Sequence, residues 1–579
     1  MNHLYVPAAS SLDPPVHALQ ARWTASVSME SLYLAFADWL MHVLRSPGKR
    51  LDLMQLALEQ ARQFHGYLIS CAQNEASESS LCIVPPATDR RFSDAQWRQW
   101  PFNAFHQAFL LQQQWWHAAM TDVHGVSGHH QAVMDFVTRQ WLDILSPGNF
   151  FASNPVVLKR TREEGGRNLM RGVQNWMNDV VRYMCGSSSF MDGAFVVGRD
   201  LAVTPGRVVM NNDLIELIQY APATDVVRPE PVLIVPAWIM KYYILDLSPD
   251  NSLIRYLVGK GYTVFCISWK NPGRADAHLS MDDYLNLGIC ASLDTISDIE
   301  RNHRVHAVGY CLGGTLLSIA AAAMAREGDK RLASLTLLAA QTDFTEPGEL
   351  ALFIDDSEVS LLEDQMGQAG YLSAGQMAGA FQMLRSYDLL WSRMVNEYLL
   401  GQRNEPSDLM AWNADTTRMP AAMHSQYLRR LYLGNDLSEG RYQVDGKPVE
   451  LKAIAAPLFC VATETDHVAP WHSVYKVHHL FTDEVTFVLT SGGHNAGIVS
   501  EPGHPGRRYR ALTRPAQATT LTSSAWLSQT KVQDGSWWPA WTDWLGARSG
   551  EPGPPPSMGL PGSNEESLLP APGRYVMEK

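Results

Sequence analysis

Hydrophobic residues follow two different spacings along this chain. Up to about residue 190 they recur every three or four residues, as in MESLYLAFADWLMHVLRSPGKRLDLMQLALEQARQF, and this spacing predicts amphipathic helices. After Gly193, short apolar β-rich runs alternate with helical patterns. Near-continuous hydrophobic strands separated by helices predict a mostly parallel sheet covered on both faces. The expected strands are VVM, LIEL with IQYAP, PVLIVP, YTVFCISW, VHAVGY, SLTLLAAQ, PLFCVAT and VTFVLT.

One long helical and aromatic stretch interrupts this alternation after SLTLLAAQ. An insertion there would lie over the carboxyl ends of the strands, where open α/β sheets bind ligands, so we interpret residues 344–440 approximately as a cap. We therefore expect a helical N-terminal domain over residues 1–192 and an α/β domain over residues 193–546. Residues 547–579 are rich in Pro, Gly and Ser, and this composition predicts a disordered tail.

Composition and charge narrow the class of protein. A chain of 579 residues that is 46% hydrophobic can bury a large core, as an enzyme does. The formal net charge of -13, without a run of Lys or Arg, argues against nucleic acid as the main partner. The N-terminal sequence lacks the pattern of a secretion signal, and the apolar stretches are too short for a bilayer, so we expect a cytoplasmic protein. The seven cysteines form no CxxC pairs, which favours reduced thiols over disulfides or a zinc site.

One cysteine lies in a pattern associated with nucleophilic catalysis. The motif GYCLG around Cys311 stands between the strand VHAV and the helix TLLSIAAAAMA, which is the nucleophile-elbow arrangement with Cys in place of Ser. Small residues on either side permit the sharp turn, and the start of the following helix favours a thiolate. Such a motif by itself could equally reflect tight packing of a strand against a helix.

Two later loops supply the order nucleophile, acid and base that this type of fold has along the chain. Asp466 follows PLFCVAT, and His494 follows VTFVLT. We predict that His494 removes a proton from Cys311 or from an incoming hydroxyl, and that Asp466 orients the imidazole. Glu464 is the alternative acid. His467 is the alternative base, but it shares a loop with Asp466, so we assign it a supporting or structural role.

A tetrahedral intermediate also needs hydrogen-bond donors for its oxyanion. The elbow supplies the backbone N–H of Leu312, and a second donor is expected from the loop at residues 236–239, from either Ile239 or Trp238. Each such donor stabilises the transition state by about 3–4 kcal/mol. A cysteine nucleophile suits acyl transfer from a thioester, because exchange of one thioester for another leaves the acyl group reactive.

Several long motifs resemble those of polyhydroxyalkanoate synthases, the family that includes poly-3-hydroxybutyrate synthases. The similar stretches are PAWIMKYYILDLSPDNSLIRYLVGKGYTVFCISWKNP, GYCLGGT, WNADTTRMP and ETDHVAPW, with SPGNFFASNP, GGRNLMRGVQNW and ALQARWTASVSMESLYLAFADWLMHVLRSPGK nearer the N-terminus. The chain departs from the common PPWINKYYILDL at Ala237 and Met240, and it reads GGHNAG rather than the more common SGHIAG around His494.

The resemblance implies an α/β-hydrolase fold and an acyltransferase that polymerises (R)-3-hydroxyacyl-CoA with release of CoA through a cysteine thioester. In that comparison Cys311, Asp466 and His494 match the nucleophile, acid and base. It further implies work at the surface of polyester granules, commonly as a homodimer joined through the cap, without a dissociable cofactor or metal. A cysteine thioesterase or polyester depolymerase of the same fold is the alternative, and a catalytically idle granule-binding scaffold is a third possibility.

Overall fold

Two compact units make up the chain in the computed structural model. The larger unit contains Met1–Ser26, Met191–Ala378 and Pro406–Lys579, and the smaller unit contains Val27–Phe190 and Gly379–Glu405. The structure describes residues 12–24, 26–73, 81–85, 89–185, 193–300, 303–377, 379, 390–403 and 405–579.

A ten-stranded sheet with the order β1-β2-β4-β3-β5-β6-β11-β12-β13-β14 forms the centre of the larger unit. The six central strands, β4, β3, β5, β6, β11 and β12, run parallel to one another. The edge strands β1, β2, β13 and β14 each pair with their neighbours in antiparallel orientation. The strands are β1 Gly206–Asn211, β2 Ile215–Tyr220, β3 Val232–Val235, β4 Val264–Trp269, β5 Val305–Tyr310, β6 Leu332–Leu338, β7 Tyr371–Leu372, β8 Met419–Pro420, β9 Gln443–Val444, β10 Lys447–Pro448, β11 Leu458–Thr463, β12 Val485–Thr490, β13 Arg508–Arg514 and β14 Gln533–Asp534.

Helices cover the sheet and build the smaller unit. Their bounds are α1 Asp13–Trp23, α2 Met29–Arg45, α3 Pro47–Ala72, α4 Phe102–Met120, α5 Gly128–Ile144, α6 Pro155–Glu163, α7 Arg167–Met184, α8 Leu253–Gly259, α9 Met281–Asp283, α10 Ala291–Ile299, α11 Leu312–Glu327, α12 Asp356–Ala369, α13 Ser392–Met394, α14 Asp408–Ala414, α15 Ala421–Gln426, α16 Trp471–Tyr475, α17 Val477–Leu480, α18 Ser523–Gln529 and α19 Trp538–Gly546. None of the helices in the described part of the chain combines the length and the apolar character needed to cross a membrane.

The predicted mostly parallel sheet is confirmed, and each expected strand forms. All residues of β3, β4, β5, β11 and β12 are buried, because helices cover both faces of the central sheet. On α19, for example, Trp541 is fully buried and donates its indole N–H to the Thr336 hydroxyl of β6 at 3.0 Å. The strand β13 was not predicted, since its sequence RYRALTR is partly exposed and contains no continuous apolar run.

The helical N-terminal region is also confirmed, but its boundaries differ from those expected. Helix α1 lies in the larger unit, where His17 contacts Asp364 of α12 at 2.7 Å. Conversely, part of the expected cap belongs to the smaller unit, where the Asn168 amide donates to the Leu399 carbonyl at 2.8 Å. Local periodicity predicts that a helix forms, but it does not say which unit buries the apolar side of that helix.

The C-terminal tail is ordered, contrary to the predicted disorder. Its backbone pairs with the segment between β2 and β3, where Val227 and Gly553 exchange two hydrogen bonds at 2.7 and 2.8 Å. Farther along, Val208 of β1 donates its N–H to the Leu569 carbonyl at 2.8 Å, and the Tyr575 hydroxyl donates to the Asn212 carbonyl at 2.6 Å. The composition was misleading because these contacts use backbone atoms and need few apolar side chains.

The last residues of the tail also form hydrogen bonds with a buried cation, the ammonium group of Lys241. The Lys241 ammonium group donates to the carbonyl oxygens of Tyr575 and Glu578 at 3.1 and 2.7 Å. Burial lowers the pKa of Lys241, and the carboxylates of Asp415 and Glu578 oppose that shift. Glu578 in turn accepts the backbone N–H of Asn271 at 3.0 Å. The tail therefore supplies partners that a buried charge at this position requires.

Deletion of residues 575–579 should lower the free energy of unfolding by about 2 kcal/mol or more, because the Lys241 ammonium group then loses two carbonyl partners. Urea denaturation of the full chain and the truncated chain measures this loss. Lys241→Met in the truncated chain should restore part of the stability, since it removes the unpaired charge. Equal stability of the full and truncated chains would contradict the importance of these contacts.

Candidate active site

Cys311 occupies a strained turn between β5 and α11. Its backbone has φ 52° and ψ -123°, in the positive-φ region that side chains other than glycine rarely adopt. Its N–H donates to the Leu338 carbonyl of the neighbouring strand β6 at 2.9 Å. Such a conformation costs about 1–3 kcal/mol and persists only where the surrounding structure enforces it. The side chain is mostly buried at the start of helix α11.

The glycines of the motif are required by close backbone contacts. A Cβ atom on Gly309 would lie 2.3 Å from the Cα of Gly314, and one on Gly313 would lie 2.1 Å from the Val235 carbonyl oxygen. Neither neighbour is a flexible side chain that could move away. The glycines therefore allow helix α11 to start directly against β5 and against the end of β3.

Asp466 and His494 are joined by a hydrogen bond. The loops after β11 and β12 bring His494 Nδ1 to 2.8 Å from Asp466 Oδ2. Thr463 donates its hydroxyl to the same Oδ2 at 3.1 Å. The backbone N–H groups of Val468 and Ala469 both donate to Asp466 Oδ1 at 2.8 Å. With these four donors the carboxylate is fixed in orientation and so fixes the imidazole ring.

The Cys311 sulfur lies close enough to the His494 ring to shift the pKa of the imidazole. Burial alone would lower the pKa of His494, but the Asp466 carboxylate and the Cys311 sulfur raise it well above the usual value. Burial likewise acts to raise the pKa of Asp466, yet the charge of His494 and the surrounding hydrogen bonds keep it below the usual value. The arrangement favours a negative carboxylate beside a protonated imidazole.

The two alternative residues lie apart from this contact. Glu464 accepts a hydrogen bond from Arg508 at 2.7 Å and is therefore already paired. His467 has an exposed side chain, and its backbone carbonyl accepts the N–H of Glu349 at 3.3 Å. The structure thus brings together Cys311, His494 and Asp466, and it places neither alternative between them.

The expected oxyanion donors lie on two segments that touch. Leu312 is the first residue of helix α11, and within the described residues its N–H has no backbone acceptor. The close approach of Gly313 to the Val235 carbonyl brings this helix start against the loop at residues 236–239. On that loop the Ile239 carbonyl accepts the Thr417 N–H at 3.2 Å, which fixes the backbone beside the two expected donors, Ile239 and Trp238.

The cap holds the same loop in place. The Thr417 hydroxyl donates to the Trp238 carbonyl at 2.6 Å, and Met240 forms a backbone bridge with Thr416. The Trp412 indole N–H donates to the Lys241 carbonyl at 2.8 Å. Because these contacts use backbone carbonyls, the position of the loop does not depend on a polar side chain at Met240.

Sequence reasoning missed aromatic residues that surround the cysteine. The helical segment Tyr427–Leu433 contributes Tyr427 and Tyr432. Both lie close enough to the Cys311 sulfur for its charge to raise the pKa of their hydroxyls. Burial, with a smaller effect from Cys311, raises the pKa of Tyr432 to about 12. No motif marks these residues, because cap helices carry only a general amphipathic pattern.

A further missed pair adjoins the two reacting groups directly. Tyr310 precedes Cys311, and its hydroxyl donates to the Asn495 side-chain oxygen at 2.5 Å. Both residues belong to motifs visible in the sequence, but only the fold brings them together. Among the described residues, no group of three or more His, Cys, Asp or Glu side chains is arranged to hold a metal ion.

Comparison with known proteins identifies matching families over most of the chain. Residues 88–257 match the family described as poly-beta-hydroxybutyrate polymerase (PhaC) N-terminus, and residues 7–49 match poly-beta-hydroxybutyrate polymerase N terminal. Residues 230–501 match the alpha/beta hydrolase fold, which contains all three residues of the site.

Several similar proteins are named as poly(3-hydroxyalkanoate) polymerases or as subunits of them. A poly(3-hydroxyalkanoate) polymerase of Methylorubrum extorquens is 42% identical over 86% of this chain and 82% of its own length. The poly(3-hydroxyalkanoate) polymerase subunits PhaC of Rhizobium etli and Cupriavidus necator are 40% and 36% identical, over 85% and 94% of this chain and 77% and 90% of their own lengths. With this extent of similarity and its α/β-hydrolase domain, the chain belongs to the poly(3-hydroxyalkanoate) polymerase family of acyltransferases.

Proposed function

We propose that this chain polymerises (R)-3-hydroxyacyl groups from their CoA thioesters through a covalent thioester on Cys311. The observation that carries the proposal is a strained turn that places Cys311 near His494, whose ring is in turn hydrogen-bonded to Asp466. Family membership supports the choice of substrate, since the similar proteins are named poly(3-hydroxyalkanoate) polymerases.

At the start of the first step the thiol proton of Cys311 already lies on His494, which the raised pKa of the imidazole favours, and the thiolate attacks the carbonyl carbon of the acyl-CoA. The N–H groups of Leu312 and Ile239 stabilise the resulting oxyanion. Collapse of the tetrahedral intermediate breaks the bond to the CoA sulfur, which receives the proton from the imidazolium. The products of this step are free CoA and acyl-Cys311.

In the second step the 3-hydroxyl of another unit attacks the acyl group on Cys311. His494 takes the hydroxyl proton, an ester bond forms, and the cysteine leaves as a thiol after it regains the proton. Asp466 remains ionised throughout, because its four hydrogen bonds stabilise the carboxylate. His467, exposed and outside the contact, takes no part in these proton transfers.

We further propose that the enzyme acts in the cytoplasm at the surface of polyester granules, as a homodimer joined through the cap. The product of the reaction is an insoluble polyester, so a growing chain keeps its enzyme at the surface of the polymer. One feature of the smaller unit agrees with an apolar surface, since α7 exposes a row of apolar side chains at helical spacing. These residues are Met170, Val173, Met177, Val181 and Met184.

A cysteine thioesterase or polyester depolymerase remains the second candidate, because the same three residues could activate water. A catalytically idle scaffold is less consistent with a strained Cys311, since such strain is expected at a reacting group. The acceptor of the acyl group separates these functions: a hydroxyl of another unit extends a polymer, whereas water releases a free acid.

Incubation of the purified chain with 3-hydroxybutyryl-CoA and, separately, 3-hydroxydecanoyl-CoA should release CoA and form insoluble polyester with at least one of them. Thiol titration measures CoA, and methanolysis of the pellet measures the polymer. Release of CoA with free 3-hydroxy acid and no polymer would reject the polymerase and favour the hydrolase. Absence of any CoA release would favour the scaffold.

Cys311→Ala should reduce CoA release by at least about 10³-fold, since it removes the atom that accepts the acyl group. Cys460→Ala is the matched control, because Cys460 is a buried cysteine in the middle of β11. That control should retain turnover within about threefold once its folded fraction is measured by circular dichroism. Unchanged turnover in Cys311→Ala would disprove the nucleophile assignment.

Asp466→Asn should lower kcat by about 10³- to 10⁴-fold, because an amide no longer orients and stabilises the imidazolium. The carboxylate helps to hold the pKa of His494 high, so removal of its charge lowers that pKa. The alkaline limb of the pH–rate profile should therefore move to lower pH.

Glu464→Gln provides the control for this change, since Glu464 is an acid in the same loop that pairs with Arg508. We expect its kcat to stay within about threefold of the original and its alkaline limb to stay in place. A larger loss in Glu464→Gln than in Asp466→Asn would reverse the assignment of the acid.

A further inference from the structure

A hydrogen bond joins the neighbours of the two reacting groups. Tyr310 directly precedes Cys311, and Asn495 directly follows His494. The Tyr310 hydroxyl donates to Asn495 Oδ1 at 2.5 Å, across 185 positions of sequence. The residue before the nucleophile is therefore tied to the residue after the base.

The surroundings of Tyr310 make this bond a rigid one. The Tyr310 side chain is buried at the end of β5, and burial raises the pKa of its hydroxyl well above the usual value. The hydroxyl therefore stays protonated and remains a donor at every pH at which the enzyme would work. The Tyr310 ring also lies 5.8 Å from the His494 ring, centroid to centroid, so it limits the movement of the imidazole by packing as well.

His494 lies in a loop after β12 that contains Gly492, Gly493 and Gly497. Backbone bonds such as that from the Thr465 N–H to the Gly492 carbonyl at 3.1 Å hold the loop, and the bond to Asp466 fixes one ring nitrogen of His494. The other side of the ring has to be kept toward the sulfur by its surroundings. The Asn495 side chain provides a further anchor, because it is hydrogen-bonded to Tyr310 at the end of β5, directly before Cys311. Its Nδ2 atom also lies 3.5 Å from Asn413 Oδ1 on the cap helix α14, a longer and weaker contact.

We infer that Tyr310 and Asn495 are positioning residues that hold the His494 imidazole against the Cys311 sulfur, an inference that builds on the proposed function. Transfer of a proton between sulfur and nitrogen requires hydrogen-bond distance, and a displacement of about 1 Å can cost about 100-fold in rate. Neither residue exchanges protons itself. Both act through the geometry of the base.

Two single substitutions each remove the hydrogen bond between Tyr310 and Asn495 while keeping the volume of the side chain nearly unchanged. Tyr310→Phe removes only the donor hydroxyl, and Asn495→Leu replaces the acceptor with an apolar side chain of similar volume. Each should lower kcat by about 10-fold and leave KM within about twofold, because binding of substrate is not the step affected. The double substitution should lose no more than the worse single one, since both remove the same bond.

Asn495→Asp is the conservative counterpart, because it keeps an oxygen acceptor for the Tyr310 hydroxyl. Its kcat should stay within about threefold, and its added negative charge should raise the pKa of His494 and move the alkaline limb to higher pH. Tyr475→Phe is the control for loss of a buried hydroxyl. Tyr475 donates to the Leu521 carbonyl at 3.0 Å away from the site, so its loss should leave kcat unchanged.

A second measurement needs no substrate. The rate of alkylation of Cys311 by iodoacetamide, followed by mass spectrometry of its peptide, reports how well His494 activates the sulfur. We expect it to fall about 10-fold in Tyr310→Phe and Asn495→Leu and to be preserved in Asn495→Asp. Unchanged alkylation and kcat in the first two variants, or independent losses that multiply in the double variant, would overturn the inference.

The two readouts separate this inference from the proposed function. If the wild-type chain turned over no acyl-CoA, yet alkylation of Cys311 fell as expected in Tyr310→Phe and Asn495→Leu, the positioning role would stand and the polymerase would not. If the wild-type chain made polymer but neither variant differed from it, only the positioning role would fail.

Discussion

The turn at Cys311 is the constraint on which the site depends. A side chain with a Cβ atom occupies positive φ there only because β5, α11 and the end of β3 approach one another through glycines. That approach places a sulfur at the start of a helix, beside the loop at residues 236–239. In the proposed mechanism, stabilisation of the oxyanion and activation of the thiol both depend on this packing.

Asp466 and His494 reach this turn from two other strands of the parallel sheet. Since β5, β6, β11 and β12 run in the same direction, the carboxyl ends of β11 and β12 lie at the same edge as Cys311, which follows β5. The Asp466 carboxylate takes part in four hydrogen bonds, one of them with the His494 ring. The bond from Tyr310 to Asn495 then limits how far the histidine loop can move away from the nucleophile.

Part of the segment expected as a cap contacts the loop beside Cys311. Residues 412–417 bind the carbonyls of Trp238 and Lys241, so they hold the loop that contains the proposed second oxyanion donor. The C-terminal tail continues this support from the other side of Lys241. The loop is therefore well held although Met240 offers no polar side chain.

The sequence by itself determined the α/β-hydrolase architecture, and it pointed to Cys311, Asp466 and His494. Continuous apolar runs specify buried parallel strands, and glycine-flanked loops at strand ends mark where reactive side chains emerge. Only the tertiary structure decided that α1 joins the larger unit, that the tail is ordered, and that Glu464 pairs with Arg508. These outcomes depend on backbone hydrogen bonds and on partners distant in sequence, and local patterns of polarity carry no information about either.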